Sequence, residues 1–367
     1  MRQFFAHFWI LLHRNARLFI VDRTGLILAV AQAPVIALFI ILALRNNVHD
    51  YQQSDSIMRK SYSFIKAVAD DRDNTEGMYD NYRNLRAKEY YSQAMKEMDK
   101  VISPHHAQAR ATIFFVMLSA SIWMGLLGSC KEIVTEWKII QRESHSAFSP
   151  GAYILSKLCV FGTVLWLQVI CLVTITLFGL IHDFTPSMLL CHFAINWLVG
   201  FGATVIGLLL SCLINSVRWA MALVPVIMMP QILMGGLLRP PAQMAAMNQS
   251  VIRKACSSLT LQRWGFEAEL IIDTRLASSD SSATIPSSHM VAILSHNPNE
   301  TAILYQPKCT IIPIDEYFFS NAQHSSWERI QPSLAFLCIF AIFLTTLTII
   351  CLTLRLRFAN LGYEWCS

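Results

Sequence analysis

Charge is scarce in this sequence: Asp, Glu, Lys and Arg make up 14% of its 367 residues, against 54% hydrophobic. Soluble domains carry about 25% charged residues, so the composition excludes an ordinary globular enzyme, and the mean hydropathy of +0.44 agrees. A phosphate-binding GxxxxGK[ST] loop is missing. Gly202 and Gly207 have its glycine spacing, but Leu208 stands where lysine is required, so no loop here cradles ATP phosphates. HExxH, CxxC and GxSxG are also absent. Ser63-Phe64-Ile65-Lys66 fits SxxK without the accompanying SDN and KTG. We therefore expect no catalytic residue, no metal site and no cofactor bound by this chain. The apolar runs lack Asp and Glu, and their polar residues are few: Gln32, Gln168, His192, Asn196 and Gln231. An ion-coupled carrier keeps an ionisable group inside the membrane, so this lack argues against secondary transport. His192 reads as a hydrogen-bonded packing residue rather than a proton relay. An intramembrane hydrolase would need paired polar residues that are missing. No basic cluster is interleaved with aromatics, so no nucleic-acid partner is expected.

What is present is a set of long apolar runs. Spanning a bilayer takes about 20 residues, and runs of that length occur at 25–44, 111–130, 152–181, 188–214, 219–238 and 334–354. The fold class expected is an all-α integral membrane protein with six transmembrane helices. The first run follows Asp22 and Arg23, contains Gln32 and Pro34 and has no small-residue cleavage site, so it reads as a retained span rather than a signal peptide. Arg2, Arg14, Arg17, Arg23, Lys131, Lys138, Arg142, Arg218, Arg355 and Arg357 all fall on one side of such a topology. The positive-inside rule makes that side cytoplasmic, with both termini there, in the inner membrane if the source is bacterial. The net charge of +5 follows from this topology. Residues 1–24 form an amphipathic segment, Gln3, His7, Arg14 and Arg17 facing one way and Phe5, Phe8, Leu12 and Phe19 the other, and should lie flat at the interface. Two long segments lie outside, 45–110 and 239–333. The first reads as a helical hairpin, from Tyr91, Met95, Met98 and Ile102 at helical spacing and a polar turn at 70–77. Most of the ten cysteines sit in spans as apolar fillers, whereas Cys256 and Cys309 are the only cysteines of the two outer segments. They should form a disulfide if the outer side is oxidising; the other reading is two reduced, buried thiols. Asn248-Gln249-Ser250 and Asn299-Glu300-Thr301 are outer sequons, relevant in a eukaryote.

Between the second and third runs lies a short charged island, 131–151, with the tail at 355–367. Lys131, Glu132, Glu136, Lys138, Arg142 and Glu143 fall within about four helical turns before a break at Ser149-Pro150-Gly151. Glu132, Glu136 and Glu143 recur on one face and Ile133, Trp137 and Ile140 on another, which predicts a short amphipathic helix outside the bilayer.

The frame of Glu136 and Glu143 with six residues between them, with Arg142 and the Ser-Pro-Gly-Ala-Tyr…Ser-Lys exit, resembles the first cytoplasmic loop of ABC-2 type permeases of the G-subfamily kind. In that family the loop carries the coupling helix that presses on the ATPase domain, so the resemblance implies that Glu132, Glu136, Arg142 and Glu143 couple to an ATPase. Three further stretches are similar to the same family. Arg14-Asn15, Asp22-Arg23 and Gly25-Leu26 look like its connecting helix. Met234-Gly235-Gly236-Leu237-Leu238 resembles the ending in which a leucine pair, here Leu237 and Leu238, plugs the substrate cavity. Arg263-Trp264-Gly265-Phe266-Glu267-Ala268 resembles the signature of an outer loop with short re-entrant helices. By the same likeness Met229 and Ile232 face the cavity, together with Ala120, Ser121 and Met124. Residues 45–110 depart from the family, which has a short link there.

The resemblance implies a permease half that dimerises with a second copy or homologue and exports a lipid-like or amphipathic substrate. ATP and Mg would be bound by the partner ATPase. The family usually fuses its ATPase ahead of the connecting helix, where this chain begins, so either a separate ATPase exists or this is a fragment. The alternative is a non-transporting receptor or assembly scaffold anchored by the same six helices.

Overall fold

A computed structural model of the chain describes residues 2–45, 105–144, 148–181, 186–237, 258–280 and 330–360. The expected hairpin before residue 105, Leu238, both sequons and the Cys256–Cys309 pair lie outside the described residues. All regular structure within them is helical: α1 Arg2–Val21, α2 Arg23–Arg45, α3 His105–Ser129, α4 Glu132–Glu143, α5 Pro150–Leu180, α6 Pro186–Leu213, α7 Val217–Met234, α8 Leu261–Asp280 and α9 Ile330–Asn360. Six of these (α2, α3, α5, α6, α7 and α9) are long and apolar enough to cross a membrane, as the runs of the sequence predict.

Two helices form the centre. The apolar stretches of α3 and α6 are 72% and 61% buried, against 17% for α2 and 22% for α7, so the last two are peripheral. Small residues permit the close central crossing. A Cβ on Gly125 of α3 would lie 2.2 Å from the Gly200 carbonyl of α6, so no larger residue fits without parting the helices. The Ser129 hydroxyl sits between the Gly125 and Thr204 carbonyls at 2.8 and 2.9 Å. Phe114, Met117, Leu118, Ile122 and Leu126 of α3 carry the core toward Leu165, Val169 and Leu172 of α5 and toward Ile195 and Val199 of α6. Burying each such side chain is worth about 1.5–3 kcal/mol where the alternative is water. Where lipid is the alternative, close packing carries the association instead.

The ends of the helices follow local chemistry. Ser149 adopts an extended conformation and its hydroxyl accepts the Ala152 N–H, with Pro150 at the first helical position of α5. Pro225 and Pro230 lie inside α7, which runs on from Val217 to Met234 around them. On α8, Leu261 lies against Gly202 of α6, Gly265 against Val199 and Glu269 against His192. Hence α8 starts beside the middle of α6 and runs antiparallel toward its first turns.

Candidate functional site

The charged island folds as α4 at one end of the bundle. Its apolar side, Ile133 and Ile140, is fully buried against Tyr153, Ile154, Val205, Leu208 and Leu352. Lys131 precedes the helix and supplies no side-chain cap. The cap comes from another helix: the Ser211 hydroxyl of α6 accepts the N–H groups of Ile133 and Val134 at 2.9 and 3.1 Å. Glu132 in the first turn and Arg142 in the last complement the helix dipole.

The carboxylates of α4 point into the protein. Lys157 of α5, its side chain 5% exposed, reaches Glu132 at 3.0 Å and Glu136 at 2.6 Å. Tyr153, one turn earlier on α5, donates its hydroxyl to the other Glu136 oxygen at 2.6 Å. Arg14 of α1 pairs with Glu143 at 2.7 Å, and the neighbouring Asn15 donates to Ser156 of α5 at 2.9 Å. A buried lysine needs an anion, and α4 supplies two. The three glutamates therefore fix α4 to α1 and α5.

With the carboxylates turned inward, the exposed stripe of α4 is Lys131, Thr135, Lys138, Ile139 and Arg142. The spacing i, i+4, i+7, i+8, i+11 makes one helical face, and it is basic. Of the four residues expected from the sequence to meet a partner, Arg142 is exposed, whereas Glu132, Glu136 and Glu143 are half-buried and engaged within the protein.

A buried arginine completes this end. Arg355 of α9 is 1% exposed. Its guanidinium lies over the Trp137 ring of α4, 3.9 Å from the centroid. It donates to the Cys212 carbonyl at 2.5 Å, the Ile214 carbonyl at 3.3 Å and Asn215 Oδ1 at 2.5 Å. From the sequence it was one basic residue of the tail side. That it is buried follows from α9 extending to Asn360, a turn and a half beyond the apolar run. Lys157 and Tyr153 had a visible signal, a lone cation four residues after a tyrosine at the start of an apolar run, opposite a run of glutamates.

The expected cavity positions divide into two groups. Ala120, Ser121 and Met124 of α3 are buried, and the Ser121 hydroxyl is 3.0 Å from Asn196 Oδ1. Met229 and Ile232 lie on the exposed side of α7, 61% and 37% exposed. Leu237 is half-buried just past the end of α7. The double glycine before it has two separate reasons. A Cβ on Gly235 would meet Gln262 Cγ at 2.4 Å, and Gly236 has φ 102°, which favours glycine. Gln262 donates through Nε2 to the Phe115 carbonyl at 2.8 Å, and its own N–H is accepted by Gln231 at 3.2 Å. The α7 ending is thus held by α3 and α8.

At the other end of the bundle Glu269 of α8 is completely buried. It meets His192 Nδ1 and accepts from Asn196 Nδ2 at 2.5 Å, while the imidazole stacks on Phe114 at 4.7 Å. His192 is hydrogen-bonded packing, as its place in the sequence suggested. Its partner was not foreseen, because Glu269 lies outside every apolar run.

Six long apolar helices with a charged helix strapped across one end of the bundle define a multi-pass integral membrane protein. The sequence matches the ABC-2 type transporter family over residues 6–272, and the chain belongs to that family. This makes it the membrane component of an ABC transporter. No curated protein matches the sequence.

Proposed function

We propose that this chain is the permease subunit of an ATP-driven exporter and is powered by an ATPase on another chain that docks on α4. The arrangement of α4 carries the reading. A loop that merely solvates a turn has no reason to neutralise its carboxylates internally and leave Lys131, Lys138 and Arg142 outward on one face. That face suits an acidic surface on the ATPase, and the inward pairs make the helix rigid enough to pass a push into α1 and α5. The α4 end is then cytoplasmic with both termini, α1 lies at the membrane interface, and α8 is a re-entrant helix on the outer side. The G-subfamily likeness fits this layout.

A second permease copy would cover the exposed apolar side of α7, where Met229 and Ile232 sit. The cavity between the two copies would take a lipid-like or amphipathic substrate, with Leu237 and Leu238 as its outer plug. ATP and Mg stay with the ATPase, whose binding step closes the dimer and squeezes the cavity outward. The test is charge reversal of the docking face. Lys138→Glu with Arg142→Glu should abolish co-purification of the ATPase and ATP-dependent export while the permease still folds. Vanadate-sensitive ATP hydrolysis by the purified chain alone, or unchanged association of the doubly reversed variant, would overturn the reading.

A further inference from the structure

Arg355 has no carboxylate within ion-pairing distance among the described residues, although it is almost wholly buried. A buried cation without an anion is costly, so its other partners must compensate. They are two carbonyls at the negative end of α6, the Asn215 amide oxygen and the face of Trp137. The four partners lie on three parts of the site. Trp137 is on α4; Cys212 is near the end of α6; Ile214 and Asn215 belong to the link that leads directly into α7 at Val217. The planar fork of arginine can hold both carbonyls and the amide while its face stays on the indole; a lysine ammonium cannot.

We propose that Arg355 is a positioning residue that passes displacement of α4, through the Trp137 face, to the 214–216 link and so to α7. This rests on the reading of α4 as the element pressed by the ATPase. The carbonyl contacts fix the guanidinium to the link in a defined plane. Trp137 can move only by carrying that plane with it or by leaving a buried cation uncovered. The route is separate from the Glu132, Glu136 and Lys157 cluster, which ties α4 to α5.

Two measurements test it. With the full chain alone in nanodiscs, amide exchange of residues 213–218 is followed in Trp137→Leu, Trp137→Phe, Arg355→Lys and Arg355→Met. Trp137→Leu, Arg355→Lys and Arg355→Met should each speed exchange in the link by roughly fivefold. Trp137→Phe, which keeps an aromatic face, should restore most of the protection, and Ile350→Ala on the exposed face of α9 should change nothing. An unaltered link in Trp137→Leu overturns the proposal whatever the transport function.

With the co-purified ATPase, vanadate trapping should change exchange both in 132–143 and in 213–222 of the wild type. In Trp137→Leu the first change should remain and the second vanish. Both changes surviving, or both vanishing from a folded complex, would reduce Arg355 to a static brace and overturn the proposal. No wild-type change even in α4 would instead sink the docking reading, and the nanodisc result would still judge the bridge.

Discussion

Glu136 keeps a fifth of its side chain in contact with solvent and shares one lysine with Glu132, whereas Glu269 at the other end is fully enclosed with His192 and Asn196. The two clusters differ in how their partners reach them. At the α4 end the partners come from α1 and α5, so the cluster ties a surface helix to the bundle while leaving that helix a free outer face. At the α8 end His192 and Asn196 of α6 meet the carboxylate inside the core, where they seat α8 against the bundle. Inward-pointing carboxylates can thus hold a helix that keeps a free outer face or one that is enclosed. Exposure of the helix behind them distinguishes the two.

The largest effect expected is loss of the enclosed carboxylate. Glu269→Leu removes the acceptor of Asn196 and the partner of His192, and should cost roughly 3–5 kcal/mol, read as a lower midpoint in thermal unfolding of the purified protein. Glu269→Gln, which can still accept from Asn196, should recover much of it. A loss below about 1 kcal/mol would put this cluster on the level of an exposed pair and erase the contrast with the α4 end.

At the α4 end Lys157→Met leaves Glu132 and Glu136 adjacent with no cation between them. Some access to water softens the penalty, so about 2–3 kcal/mol is expected, less than at Glu269. Glu136→Gln is milder, because Lys157 keeps Glu132 and Tyr153 keeps an acceptor. Its mark should be on coupling: export in membranes at matched expression, with the partner ATPase present, should fall more than stability does. Wild-type export by both Glu136→Gln and Glu143→Gln would leave α4 a passive strap.

Much of this contrast could be read in the sequence, and the failures have a common cause. Six spans follow from run length, and the amphipathic pattern of 132–143 set Ile133 and Ile140 inward correctly, because periodicity reports which face is apolar. It does not report what a charged side chain at the border of that face will do. Glu132 and Glu136 lie beside the buried stripe and swing inward because Lys157 waits there, a partner 21 to 25 residues away that no local pattern connects. Glu269 and Arg355 escaped for the same reason. Each is charged, lies outside the apolar runs, and is buried because its helix packs against the bundle. The ABC-2 likeness pointed to the Arg263–Ala268 stretch, whose Glu267 is buried, and the carboxylate enclosed with His192 and Asn196 falls one residue past it.

The Arg14–Glu143 pair tests a smaller difference. Both side chains are about one-third exposed, so the ion pair itself is worth less than about 1 kcal/mol after screening. Arg14→Gln should barely shift unfolding at physiological salt, whereas the same change at Lys157 should be plain. A shift from Arg14→Gln as large as that from Lys157→Met would show that α1 is held as tightly as the core helices, and the distinction between strap and anchor would fail there.

The smallest effect belongs to Asp22, an exposed carboxylate at the joint of α1 and α2. It accepts the Gly25 N–H at 3.1 Å and the Thr24 hydroxyl at 2.8 Å. These bonds, the backbone one foremost, hold its carboxyl below the usual aspartate value. A lowered value means that the folded state prefers the charged form. The stabilisation is therefore complete above the unfolded value of about 3.9 and disappears as pH falls through the lower folded value. The amide shift of Gly25 should accordingly titrate with a midpoint below 3.9, and Asp22→Asn should abolish the titration without altering export. A midpoint at or above the unfolded value would mean that the carboxylate does not cap α2 in solution. Because Asp22 touches neither carboxylate cluster, its protonation should leave the link at 213–218 and the seat of α8 unchanged, and a response at either would connect regions that the packing keeps apart.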